Sequence, residues 1–181
     1  MELTTERPDG EIGTAGRILK VNHAGEFGAV NIYCAQILIG TIFRVRYTDT
    51  LKDFLAHEKK HLEIFRKELE RRNVRRCRSY YLCGIGGYSL GFISGLLGRD
   101  SVLACTAAVE TVVLRHLEEQ IIALKEIGDA EAVKAVEAIV RDEMEHHQEG
   151  LRASTNCIFY KPFVKIIKFC TESVIWLGMR L

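Results

Sequence analysis

Apolar residues recur along much of this chain at alternating steps of four and three, the period of one stripe on an α-helix. The clearest runs are Leu51, Leu55, Glu58, Leu62, Phe65, Leu69 and Leu103, Ala107, Glu110, Leu114, Leu117, Ile121, Leu124. A third stripe joins Val133, Val136, Val140, Glu143 and His147, and Glu26 sits among Leu19, Ala29, Val30 and Tyr33. The pattern predicts six helices and no strand. They run over about 17–46, from Thr48/Asp49 to near Arg72, over 79–98, from Asp100/Ser101 to Gly128, from Asp129 to about Ala153, and over about 160–179. Asp and Ser at helix starts, Gly at an end and Pro162 in a first turn are the expected boundary residues.

Each of four apolar stripes carries one glutamate near its middle. A carboxylate sunk in an apolar seam costs several kcal/mol unless it is neutralised or paired. Four of them, on four helices, call for a shared compensating charge. Two are followed by a histidine on the same helix face, in Glu58-x-x-His61 and Glu143-x-x-His146. Two such pairs are little above chance. The regularity that carries weight is the order Glu, Glu-x-x-His, Glu, Glu-x-x-His with matched separations (26 to 58 and 110 to 143). It reads as a duplicated helical hairpin whose halves bring six side chains to one level.

Two divalent cations would cancel four carboxylates, and each would gain one imidazole. Oxygen-rich ligation of this kind suits iron or manganese better than structural zinc, which prefers closed Cys/His sites. The expected ligands are therefore Glu26, Glu58, His61, Glu110, Glu143 and His146, the pattern of di-iron carboxylate bundles. Asp142 and Glu145 are both available to hold a ligand histidine. His23, His57 and His147 are expected at the surface or behind the ligands. His116, six residues after Glu110, is the candidate for a nearby proton or redox residue in catalysis.

Composition narrows the picture. The chain has 181 residues, 48% hydrophobic and 27% charged, which suits one folded domain. With 25 basic and 24 acidic residues, no charge excess recommends nucleic acid as a partner. Six cysteines contain no C-x-x-C pair, which excludes a zinc ribbon or rubredoxin knot and suggests reduced, mostly buried thiols. The polar first 16 residues are expected as a flexible tail, neither a secretory signal nor a transit peptide, with residues 17–181 as the domain.

Residues 79–98 are uncharged, contain six glycines including Gly87-x-x-x-Gly91-x-x-x-Gly95, and follow five arginines from Arg71 to Arg78. The 160–179 helix sets Lys161, Lys165, Lys168 and Glu172 on one stripe and apolar residues elsewhere. Both are expected to face a membrane surface rather than to cross it.

On these residues the sequence resembles the demethoxyubiquinone hydroxylase family of ubiquinone biosynthesis. The matching pieces are His23-Ala-Gly-Glu26-Phe-Gly28-Ala29, Glu58-x-x-His61, Gly95-Leu-Leu-Gly98, Ala104-Cys105-Thr106-Ala-Ala-Val109-Glu110 and Asp142-Glu143-x-Glu-His146-His147. The resemblance implies an all-α, ferritin-like four-helix bundle with two additional membrane-associated helices. It implies two ferrous ions, O2 as cosubstrate, external electrons from NADH, and hydroxylation of a polyprenylated benzoquinone ring. Glu58 and Glu143 would bridge or switch mode, and His116 matches a near-site histidine of the family. Leu117 stands where some members have tyrosine, and Thr111 where a second glutamate usually follows the ligand. These departures bear on any relay through those positions. The resemblance further implies a peripheral protein on the cytoplasmic face of a bacterial inner membrane or the matrix face of a mitochondrial one, in contact with other ubiquinone-biosynthesis proteins. The competing readings are a ferritin- or rubrerythrin-like iron or peroxide handler and a metal-free membrane scaffold.

Overall fold

A computed structural model describes residues 13–45, 47–153 and 160–180. The expected tail lies largely outside the described residues, as does Cys157. Among the described residues there are six helices and no strand: α1 (Thr14–Ile42), α2 (Thr48–Arg71), α3 (Tyr80–Leu96), α4 (Arg99–Glu126), α5 (Ala130–Gly150) and α6 (Tyr160–Gly178).

Short connections fold α1 onto α2 and α4 onto α5 as two hairpins. The hairpins meet through α2 against α5 and α1 against α4, so these four helices form a ring around one interior. The core takes in much of the stripes read from the sequence: Leu19, Phe65, Leu69, Leu117, Leu124 and Val136 are buried together with Ile139, which lay off the expected stripe, while Leu62, Leu114 and Val140 are only half-buried. At one end Arg72, just past α2, grips Asp129 with two hydrogen bonds of 2.6 and 2.8 Å. Asp129 also accepts from the Ala132 N–H at 3.1 Å, which makes it the N-cap of α5.

Helix α3 lies outside this ring, against α1. Its glycine spacing explains the fit: a Cβ on Gly87 or Gly91 would sit 2.2 Å from the backbone oxygens of Gly28 and Ile32. Buried Gln36 and Ser94 join the same two helices by a 3.0 Å hydrogen bond. Helix α6 lies on α4, and both outer helices also touch the α1–α4 pair. Their far faces are exposed and apolar, with Leu82, Ile85 and Phe92 on α3 and Ile166, Phe169 and Trp176 on α6. Among the described residues no helix is long and apolar enough to cross a membrane, and α3 itself has 17 residues.

Several boundaries differ from expectation. Helix α1 starts at Thr14, inside the expected tail, and ends at Ile42, where Arg44 turns the chain with φ 53. Helix α4 is entered through Gly98 at φ 94, so Asp100 lies in the first turn rather than at the cap. Glycine alone adopts that backbone without strain. Thr48 begins α2 instead of capping it and donates to the Val45 carbonyl. The five described cysteines are free, with Cys77, Cys83 and Cys105 buried.

Candidate metal centre

The apolar stripes of α1, α2, α4 and α5 turn inward and carry their polar interruptions with them. Glu26, Glu58, His61, Glu110, Glu143 and His146 are all buried, none more than 6% exposed. They meet as two overlapping groups, Glu26–Glu58–His61–Glu143 and Glu58–Glu110–Glu143–His146, each with one donor atom per residue within 4.8 Å of the others. All six side chains expected as ligands are thus brought together.

The two carboxylates common to both groups are splayed between the two imidazoles. Glu143 Oε1 lies 2.9 Å from His61 Nδ1, while its Oε2 lies 3.4 Å from His146 Nδ1. Glu58 places Oε2 4.0 Å from His61 Nδ1 and Oε1 3.2 Å from His146 Nδ1. Despite this crowding, both Glu58 oxygens and both Nδ1 atoms lack a hydrogen-bond partner among the described residues. Buried polar atoms left so are costly. Four such atoms, from Glu58, His61 and His146, converging within one cluster of six oxygen- and nitrogen-bearing side chains fit a pair of cations.

The electrostatics agree. Burial pushes the Glu58 and Glu110 carboxyls well above the usual range, and their carboxylate neighbours push the same way. Burial also raises Glu26, against the pull of His61. Glu143 goes the other way: burial would raise it, but His146 and His61 bring it down to about 2. Burial disfavours the charged form of His61, yet Glu143 and Glu26 alongside hold its pKa up to about 10. Two imidazoles cannot neutralise four carboxylates, and two divalent cations can.

The outward nitrogens of both imidazoles are held. His61 Nε2 lies 3.1 Å from Asp142 Oδ2, and His146 Nε2 lies 3.1 Å from His57 Nδ1. Of the two acids available in sequence, the structure therefore selects Asp142, and Glu145 is exposed. Phe54, with its ring centroid 4.2 Å from that of His146, and buried Tyr33 complete the wall beside His146. Tyr33 was legible only as an apolar stripe position; its hydroxyl is held in the neutral form by burial and the nearby carboxylates.

The remaining histidines lie elsewhere. His23, expected at the surface or behind a ligand, is buried under α3, stacked on Tyr80 at 5.0 Å. Burial and Arg76 lower its pKa to about 4. His147 lies 3.1 Å from Thr111 Oγ1. His116 is outside the cluster, on the seam between α4 and α6, with Nε2 3.0 Å from Glu172 Oε2.

A cavity of about 320 Å³ connects these features. One end reaches Glu26, Glu58, Glu110 and Glu143, and the walls are apolar residues such as Ile32, Leu90, Val113 and Ile167 from four helices. His116 and a reciprocal amide pair, Asn22 with Gln120 at 2.8 and 3.0 Å, supply polar groups along it. The volume lies in the range of small-molecule sites.

A ring of helices with a buried carboxylate–histidine cluster, reached by an apolar cavity, defines a candidate metal-dependent enzyme acting on a greasy substrate. The chain matches the family described as ubiquinone biosynthesis protein COQ7 over residues 14–178, and it belongs to that family. It is 32% identical over 168 residues to the NADPH-dependent 3-demethoxyubiquinone 3-hydroxylase, mitochondrial, of Dictyostelium discoideum, covering 91% of this chain and 76% of the relative. The human protein of the same name is 33% identical over 169 residues, with 91% and 77% covered. The 3-demethoxyubiquinol 3-hydroxylase of Rhodospirillum rubrum is 35% identical over 169 residues, again with 91% and 77% covered. The chain is a hydroxylase of ubiquinone biosynthesis.

Proposed function

We propose that this protein is a di-iron monooxygenase of ferritin-like fold that uses O2 to hydroxylate the ring of a polyprenylated demethoxyubiquinone. The observation that carries this reading is the splay of Glu58 and Glu143, each offering one oxygen toward His61 and one toward His146. Glu26 and His61 would complete one iron's protein ligands, and Glu110 and His146 the other's. Two ferrous ions, when bound, would supply the open coordination positions and the redox chemistry that activate O2.

The chain's own residues do the rest. Apolar side chains of α3 and α6 hold the ring end of the substrate in the cavity, beside the carboxylates, and keep bulk water away. His116, on the cavity wall with Nε2 3.0 Å from both Arg115 Nη2 and Glu172 Oε2, would hold or pass a proton there. The exposed apolar faces of α3 and α6 support docking on a membrane surface, where the polyprenyl tail resides. That face would be cytoplasmic in a bacterium and on the matrix side in a mitochondrion, within reach of other ubiquinone-biosynthesis proteins. Residues 17–181 would act as one domain behind a flexible N-terminal tail. The electrons come from outside the chain. The family resemblance implies NADH as their source, whereas the names of several relatives give NADPH.

The test is reaction of ferrous-loaded protein with demethoxyubiquinone, a reduced nicotinamide and 18O2. The reading predicts a product carrying one labelled oxygen on the ring. Iron oxidation without ring hydroxylation would favour the iron-handling alternative instead.

A further inference from the structure

The two halves of the cluster are related by the internal duplication, and the residue just before each Glu-x-x-His pair reaches across to the other pair's histidine. Asp142 precedes Glu143 and meets His61 Nε2; His57 precedes Glu58 and meets His146 Nε2. The geometry is the same and the chemistry is not. A histidine that offers Nδ1 to a metal carries its proton on Nε2. His61 then donates to a buried carboxylate, while His146 donates to the Nδ1 of a second imidazole, and an imidazole accepting there carries no charge. A carboxylate behind a ligand histidine raises its basicity, and losing such a partner costs roughly 10- to 100-fold in metal affinity.

Resting on the two-metal reading above, we propose that the two metal positions are inequivalent: the His61–Glu26 position is the tight one and the His146–Glu110 position the weak one, set by Asp142 against His57. Other charges do not overturn this order. Lys60 lies 3.5 Å from Asp142 Oδ2 and Arg141 3.9 Å from Oδ1, but these side chains are 63% and 92% exposed and solvent screens them. Each position draws on the shared Glu58 and Glu143 and adds one carboxylate of its own, so the number of carboxylates does not distinguish them. Asp142 and His57 are positioning residues that act through the ligand histidines.

The experiment is anomalous diffraction from crystals of the full chain equilibrated with half an equivalent of Mn2+. The expected result is an occupancy near His61 roughly tenfold or more above that near His146. In His57→Asp the ratio falls toward one, and in His57→Asp with Asp142→Asn it reverses. His57→Gln, a milder change that keeps an acceptor, leaves His61 favoured. Equal occupancy in the unchanged protein, or a ratio that His57→Asp leaves as it was, overturns the proposal while sparing the two-metal reading. Absence of Mn2+ from both positions removes both.

Discussion

Glu110→Gln separates a metal centre from a structural ion-pair network by the sign of its effect. Glu110 is 2% exposed and has no cationic side chain within ion-pair distance among the described residues; burial, Glu143 and Glu26 all disfavour its charge. Without metal at about pH 8, holding it ionised therefore costs stability, about 1.4 kcal/mol for each unit its pKa is displaced upward. Glutamine has the same shape, and its amide N–H groups can donate to the neighbouring Glu143 carboxylate. With a chelator, the variant should be more stable than the parent by about 1 kcal/mol or more. With Mn2+ at a hundredfold over its dissociation constant, the parent gains about 2.7 kcal/mol by mass action. The variant has lost a ligand and keeps only part of that gain, so the order reverses. Urea unfolding followed by circular dichroism, in chelator and in Mn2+, measures both. Destabilisation of similar size under both conditions would refute the reasoning, because it would mean Glu110 serves the fold.

Three further outcomes follow from the fold and the charges. Gly91→Ala pushes a Cβ to 2.2 Å from the Ile32 oxygen and should destabilise by about 1–3 kcal/mol, whereas exposed Gly86→Ala, with nothing within 4 Å, should stabilise by up to about 1 kcal/mol; denaturant midpoints of equal sign would contradict the docking of α3 on α1. Asp129→Ala removes the α5 cap and the grip of Arg72, and should lower stability by about 1–2 kcal/mol by the same measurement. Metal-free stability should decline as pH rises from about 6.5 to 9. The raised Glu58 and Glu110 carboxyls make the folded chain bind more protons than the unfolded one above pH 4.5, and the His61 contribution, full below pH 6.5, is lost toward about 10. The two lowered groups that oppose this, Glu143 below about 4.5 and His23 below about 6.5, both act outside that window. The thermal shift on adding Mn2+ should therefore be larger at pH 8.5 than at pH 5.5; an equal or smaller shift would contradict the charge balance described.

The ring of four helices was legible because helical periodicity and burial are the same fact: a stripe such as Leu51–Leu69 has few places to go but inward. The carboxylate–histidine cluster was legible for a related reason, since each buried glutamate interrupts such a stripe at its middle. What spacing along one helix does not encode is the rotation of one helix against another. That is why Asp142 could not be told from Glu145, and why His57 had no stated partner until α2 and α5 were seen to face each other. His23 illustrates the same limit. It lies three residues before Glu26, but it belongs to the side of α1 that α3 covers through its glycines. Helix ends depended on backbone angles at Arg44 and Gly98, which side-chain pattern reports only weakly.

The most direct test of the account is the metal content of the full chain after anaerobic loading with ferrous iron and removal of excess, by elemental analysis. Di-iron ligation by these four glutamates and two histidines predicts about two irons per chain, falling sharply in Glu58→Ala, whose carboxylate faces both imidazoles. A chain that retains no iron, or a Glu58→Ala variant that retains as much as the parent, would contradict it.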